Sequence, residues 1–331
     1  MMNVKALLGL GLIFFLLTTT LGCSKKDSLE ERVDYPYTQT INGHEYRFES
    51  GRVTEISTDA DLDMRFGVLS DIHGEVEKVG YFAQLFKVKK VDAILISGDI
   101  PLNEELRSGH ADIVSDEVEM LNVLREVAKT GLPIFVIPGN HEHKGDYENA
   151  LKKVVLDYPN VIDMTQYRVF DGDDADIVSL PGYQTFSTQG YQFIPDDGYF
   201  ASHKDIEKLK ELRQGLDDPV ILLTHGAGKT NAQLGPSTTY DGKDVGDAYT
   251  TQVEKEANIS FTVVGHIHEA GGRAATFEGT PINIGEWSSQ FTVNFGTLQK
   301  WKYLDGVSRE GMAGILYVHE KKAQFEILEL K

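Results

Sequence analysis

The chain has 331 residues, 41% hydrophobic and 25% charged, enough for a sizeable core in one large domain or two small ones. Its 51 acidic residues outnumber 32 basic ones, giving a net charge of −19. Bulk nucleic-acid binding depends on Lys and Arg neutralising phosphates, so this balance argues against DNA or RNA as a bulk partner and leaves room only for local basic patches.

Residues 1–22 read as a lipoprotein signal peptide. They carry one Lys, an apolar run of roughly fifteen residues, then small and polar residues ahead of Cys23. TLGC resembles a bacterial lipobox: Gly22 fits, while the Leu usual three places before the cysteine is Thr20, with Leu21 one place late. The resemblance implies cleavage before Cys23, a lipid on that residue and anchorage to the cell envelope. Ser24 after the cysteine favours the outer membrane in a Gram-negative host. Cys23 is the only cysteine, so no internal disulfide can form in the exported chain. Residues 23–36 follow as a polar tether, and 37–331 as one folded domain.

In the segment 37–57, polar and apolar residues alternate around Asn42-Gly43, which predicts a hairpin. From residue 64 the rhythm changes to short apolar runs ending in Gly, Asp, Asn or His. These are MRFGVLSD, DAILISGD, LPIFVIPGN, ADIVSLPG, PVILLTHG and ISFTVVGH. Consecutive apolar residues suit strands covered on both faces. Helical periodicity marks 75–90, 115–131, 147–158 and 203–216, so strands and helices alternate as in an α/β sheet. The helix at 113–129 is placed beside the strand ends. Toward the C-terminus, 280–296 and 313–330 alternate with period two and predict antiparallel strands of a second sheet.

The strand ends concentrate the metal-capable side chains. SDIHG offers Asp71 and His73, one residue apart. SGDI offers Asp99, whose two carboxylate oxygens could bridge two cations. PGNHE offers Asn140 and then His141, THG offers His225, and GHIH offers His266 and His268. Ligands of open α/β sheets bind beyond the carboxyl ends of strands, so these residues can converge. Imidazole mixed with carboxylate and amide oxygen suits Mn, Fe or Zn better than Ca²⁺, which takes oxygen alone. Two such cations roughly 3.5–4 Å apart can activate a shared water and clamp a phosphoryl group.

One motif competes. Gly228-Lys229-Thr230 echoes a phosphate-cradling loop, but that loop needs a Gly at position 223, and the chain has Leu223 there, inside a strand. Lys229 is kept only as a candidate contact to substrate phosphate. His143 lacks the i, i+4 spacing of a zinc-protease helix and reads as a surface residue; His44, His110, His203 and His319 fall outside the pattern.

The five blocks, D-x-H, G-D, G-N-H-E, H and G-H-x-H, resemble the calcineurin-like metallophosphoesterase superfamily over roughly residues 65–290. The resemblance implies a four-layer α/β/β/α sandwich with two packed mixed β-sheets flanked by helices. It implies that Asp71, His73 and His268 hold one divalent cation, that Asn140, His225 and His266 hold the other, and that Asp99 bridges them. It further implies a bridging hydroxide as nucleophile, with His141 reaching the phosphoryl or leaving-group oxygen. Glu142 and the backbone around Gly139 are expected to orient His141.

The substrate expected is a small phosphomonoester or phosphodiester. The segments SDIHG and SGDIPLNEE lack the second-block arginine of the superfamily's protein phosphatases. Substrate choice is assigned to the loops 100–112, 182–203 and 226–250, with Tyr183, Tyr199, Phe200, Tyr240 and Arg273 as candidate contacts. Two other classes stay open: a non-catalytic metal-binding envelope lipoprotein, and a nucleoside triphosphatase built on the Gly228-Lys229-Thr230 loop.

Overall fold

The computed structural model describes residues 36–58, 62–102, 115–184 and 197–330. The predicted signal peptide and all but the last residue of the tether lie outside them. So do the predicted loop residues 103–112 and 185–196. Among the described residues, no helix is long and apolar enough to cross a membrane.

Two sheets organise the domain. The smaller runs, edge to edge, through Lys322–Glu329, Met312–His319, Asp63–Leu69, Ala93–Ile96, Ile134–Val136 and Val161–Asp163. Its last four strands are mutually parallel, and Met312–His319 pairs antiparallel with both neighbours. The larger has ten strands. A parallel block, Asp176–Leu180, Val220–Thr224, Phe261–Val264 and Phe291–Asn294, forms its centre. The N-terminal hairpin lies at one margin of this sheet, with both turn residues in the left-handed region (Asn42 φ 51°, Gly43 φ 92°), as an Asn-Gly hairpin turn requires.

Strand alternation explains why the runs are apolar throughout. In Val220–Thr224, Ile221 and Leu223 point into the cluster between the sheets, while Val220 and Leu222 face helices on the outside. Ala93 and Leu95 likewise face inward, and Ile94 and Ile96 meet the helices on the opposite surface. Helices Val76–Lys89, Asp116–Ala128 and Lys144–Asp157 cover the smaller sheet. His203–Glu207, Leu209–Leu212 and Ala248–Glu256 cover the larger. The layers are therefore α/β/β/α. Fully buried side chains such as Phe66, Phe135 and Phe261 fill the middle, each contributing about 1.5–3 kcal/mol through burial.

Two expectations need correction. The C-terminal period-two segments do not form one separate antiparallel sheet. Phe291–Asn294 lies parallel to Phe261–Val264 in the larger sheet, whereas Met312–Glu329 supplies a hairpin to the smaller. Period two reports one-sided or alternating burial, and both sheets meet that condition. The single helix expected over 203–216 is also divided at Lys208.

Candidate metal centre

Each candidate ligand follows the carboxyl end of a strand. Asp71 and His73 follow Asp63–Leu69, Asp99 follows Ala93–Ile96, and Asn140 follows Ile134–Val136. From the larger sheet, His225 follows Val220–Thr224, and His266 and His268 follow Phe261–Val264. The residues thus converge from both sheets onto the seam between them.

The local backbone is costly. Asp71, His73, Asp99 and His266 have φ of 48°, 47°, 53° and 66°, a left-handed conformation that L-residues other than Gly adopt at a cost of roughly 1–2 kcal/mol each. Hydrogen bonds between the loops hold it in place. Asp71 N donates to Gly98 O (3.1 Å), His73 N to Asp99 O (3.0 Å) and Gly74 N to Ile100 O (2.9 Å).

Two groups of ligand atoms result. Those of Asp71, His73 and His268 lie within 4.8 Å of one another, and so do those of Asp99, His225 and His266. In the first, His73 Nε2 is 3.3 Å from His268 Nε2, which is 3.1 Å from Asp71 Oδ1. In the second, His225 Nε2 is 3.2 Å from Asp99 Oδ2. Asn140 joins the second group, its Oδ1 lying 2.9 Å from His225 Nε2 and 2.7 Å from His266 Nδ1.

Two rings are oriented by backbone carbonyls. His73 Nδ1 faces Pro101 O at 3.2 Å and His225 Nδ1 faces Ser97 O at 2.9 Å. Donation there turns both Nε2 atoms toward the centre, the arrangement by which proteins aim imidazole at a cation.

Burial lowers the pKa of His73 to about 4, with His268 adding to the effect, and lowers that of His266 to about 3, with His225 adding. Both rings are therefore neutral lone-pair donors at neutral pH. For Asp71, burial opposes ionisation, but His268 and His225 outweigh it and bring the pKa down to about 2. His225 differs. Burial disfavours its charge, yet Asp99 overcomes this and raises its pKa to about 10. The metal-free ring therefore carries a proton at neutral pH, and a cation at Nε2 has to expel it. Metal uptake is expected to release protons, and apparent affinity is expected to fall about tenfold per pH unit per proton displaced as pH drops below 10. Titration calorimetry in buffers of different ionisation enthalpy reads the proton count; a count of zero at pH 7 would contradict this assignment.

Close packing fixes the glycines of the motifs. A Cβ on Gly139 would lie 2.2 Å from Asp99 Oδ1, and one on Gly265 would lie 1.9 Å from Ser70 Oγ and 2.3 Å from Asp71 Oδ2. Glu142, fully buried, accepts from Ile100 N (2.8 Å) and Gly139 N (2.7 Å), tying the Asp99 loop to the Asn140 loop. Burial and then Asp99 push its pKa up to about 8. Through these two hydrogen bonds its carboxyl group braces backbone of both loops, whereas the expectation was that it orients the His141 ring.

His141 lies beside the second group. Its backbone N donates to Asp99 Oδ1 (3.1 Å), its Nε2 is 3.8 Å from Asp99 Oδ2, and its ring meets His73 edge-on at 5.5 Å. His143 is only partly exposed and pairs with Asp197 Oδ1 at 2.6 Å. Of the aromatic candidates, Tyr183 packs on His266 with ring centroids 4.1 Å apart, whereas Tyr199 packs on Tyr147 at 5.3 Å. Phe200 and Tyr240 are exposed, and Arg273 lies in a strand paired with Phe291–Asn294.

Sequence reasoning missed three supporting residues. Asn294 Nδ2 donates to Gly265 O (3.2 Å) and Ile267 O (3.0 Å), shaping the GHIH loop. Thr297 Oγ1 donates to Asp71 O at 2.7 Å, and Trp301 meets His268 edge-on at 4.6 Å. The one available signal was a polar Asn inside an apolar strand.

The Gly228-Lys229-Thr230 segment turns backbone amides to partners within the protein. Lys229 N donates to Asp247 O (3.0 Å), Thr230 N donates to Asp244 Oδ2 (3.1 Å), and the next helix begins only at Ala248. The helix N-terminus that such a loop needs directly after it is missing there.

The profile of the calcineurin-like phosphoesterases matches residues 64–270, which contain every block of this centre. The chain belongs to the calcineurin-like phosphoesterase family. Solved structures share the fold. One crystal structure aligns with a TM-score of 0.57 at 15% identity over 81% of this chain and 100% of its own. A protein of Thermus thermophilus, TT1561, aligns with a TM-score of 0.54 at 13% identity over 81% of this chain and 99% of its own. A dimetal phosphatase from Danio rerio gives a TM-score of 0.49 at 12% identity, over 82% and 99%. No curated protein sequence matches the chain.

Proposed function

We propose that this calcineurin-like phosphoesterase hydrolyses a small phosphomonoester or phosphodiester at a centre of two divalent cations. Asp71, His73 and His268 would hold one cation, Asn140, His225 and His266 the other, and Asp99 both. The observation that carries this reading is the pair of ligand groups, each gathered within 4.8 Å and facing the same seam. The donor set fits: imidazole nitrogens, carboxylates and one amide oxygen, with no thiolate, suit Mn, Fe or Zn. Such cations would supply an activated water and charge compensation at the phosphoryl oxygens. His141, only 12% exposed and 3.8 Å from Asp99, is assigned the proton delivered from Nε2 to the departing oxygen. Neutral His73 and His266 are disposed as ligands and do not compete for that role.

The test uses the protein stripped and reloaded with Mn²⁺, on p-nitrophenyl phosphate and bis-p-nitrophenyl phosphate. Metal-dependent turnover is expected, and the preferred ester separates monoesterase from diesterase. His141→Ala is expected to lose about 10²-fold or more on glycerol 2-phosphate, a poor leaving group, and less on p-nitrophenyl phosphate, which departs without a proton. Equal losses on both would remove His141 as the acid. Two bound metals without turnover on any of these esters would favour the binding-protein alternative.

The reading extends to location. A lipid on Cys23 would hold the domain at the envelope surface, supported by the signal sequence and its lipobox-like end. Cys23→Ser is expected to move the protein out of the detergent phase in two-phase partitioning; retention there would dismiss the anchor.

A further inference from the structure

A small cavity of about 210 Å³ opens beside the metal centre, lined by Tyr183, Gln184, Ala227, Lys229, Gly246 and Asp247 among others. It shares walls with the centre. Tyr183 lines the cavity and packs on His266 at 4.1 Å, and the chain runs from His225 through Gly226 to Ala227, another lining residue. Gly226 passes so close that a Cβ there would lie 2.0 Å from Gln184 Oε1 and 2.9 Å from the Tyr183 ring. Gly226, directly after His225, thus borders two residues of the cavity lining, Gln184 and Tyr183.

Lys229 is the one cation among the residues lining the cavity. Its ammonium forms no ion pair or side-chain hydrogen bond among the described residues. The single carboxylate in the lining serves as a helix cap: Asp247 Oδ2 accepts from Thr250 N (2.6 Å) and Thr250 Oγ1 (2.8 Å), at the start of helix Ala248–Glu256. The backbone carrying the lysine is braced, with Asp247 N donating to Ala227 O and Lys229 N to Asp247 O, both at 3.0 Å. In a chain with a net charge of −19, an ammonium without an ion-pair partner among the described residues, held on a braced loop beside the site, is a specific feature.

We infer that Lys229 is a specificity-determining residue that binds a second anionic group, phosphate or carboxylate, carried by the phosphoester substrate. This rests on the phosphoesterase reading of the centre. The ester phosphate would occupy the seam, and the second anion would project past Tyr183 into the cavity. A charge-assisted hydrogen bond of this kind is worth a tenfold or greater preference.

The experiment compares glycerol 3-phosphate with 3-phosphoglycerate, which differ by a carboxylate in place of a hydroxymethyl group, on the Mn²⁺-loaded protein. The readout is the ratio of kcat/KM for the two esters, with p-nitrophenyl phosphate as a common reference. Lys229→Ala is expected to lower the ratio at least tenfold, and Lys229→Arg to retain most of it. Lys243→Ala removes a charge from the same stretch of chain at an exposed position paired with Asp241, and is expected to leave the ratio as in wild type. Wild-type turnover with the same ratio in Lys229→Ala overturns the inference while sparing the phosphoesterase reading. An equal fall in Lys243→Ala also overturns it, since the preference would then reflect the general field of the loop. No wild-type turnover of any ester removes the reading and the inference together.

Discussion

Asp99→Ala is expected to lower metal-dependent ester hydrolysis by about a thousandfold or more and to reduce the number of tightly bound cations. Asp99 Oδ1 accepts from the backbone of Asn140 (2.9 Å) and of His141 (3.1 Å), while Oδ2 faces His225 Nε2 at 3.2 Å. Alanine thus deletes a candidate anionic ligand, frees the loop carrying Asn140 and His141, and removes the charge that sustains the His225 proton. Loss of cation-based charge compensation is worth several kcal/mol, and about 4 kcal/mol corresponds to the stated thousandfold. Elemental analysis and steady-state rates on p-nitrophenyl phosphate check the two parts separately. A variant that keeps two cations and works within tenfold of wild type would rule out Asp99 as their shared ligand.

Gly265→Ala is expected to be comparably damaging by a different route. The added methyl would lie 1.9 Å from Ser70 Oγ and 2.3 Å from Asp71 Oδ2, well inside contact distance, so the ligand loops must separate. Ser70 Oγ donates to Asp71 Oδ2 at 2.5 Å and His266 N lies 3.0 Å from both Asp71 oxygens, so the displacement reaches two candidate ligands at once. Overpacking of this kind costs typically about 1–3 kcal/mol. The thermal midpoint of the metal-free protein should fall, and cation affinity should fall with it. Ser70→Ala added to Gly265→Ala removes the closest clash and should recover part of the stability, a non-additivity that a double-mutant cycle measures. Unchanged stability and affinity in Gly265→Ala would mean the loops are not packed as described.

The strands, and the candidate ligands that the fold gathers, were readable in the sequence for one physical reason. A parallel strand buried on both faces must be apolar along its length, and the residue that ends it, such as Asp99 or His225, stands out against that run. The spacing within Asp71-x-His73 and His266-x-His268 then placed pairs on one loop. Sheet membership was not readable, because Phe291–Asn294 and Met312–His319 carry no local mark of which strand each will pair with. Glu142 shows a second limit. Its neighbours His141 and Asn140 suggested a role toward the site, but its partners are amides of Ile100 and Gly139, set by how two loops meet. Asn294, Thr297 and Trp301 lie beyond every motif, and only folding brings them against Asp71, Gly265 and His268.

The placement of the site on the seam has a mechanical consequence. Asp71, His73, Asp99 and Asn140 follow strands of the smaller sheet, and His225, His266 and His268 follow strands of the larger. Each of the two ligand groups draws from both sheets. Cations seated there would therefore act as rivets: the sheets could not slide or part without surrendering ligands from one side. Neither half of the chain could hold the full set by itself, so occupancy would report that the two sheets have docked in register.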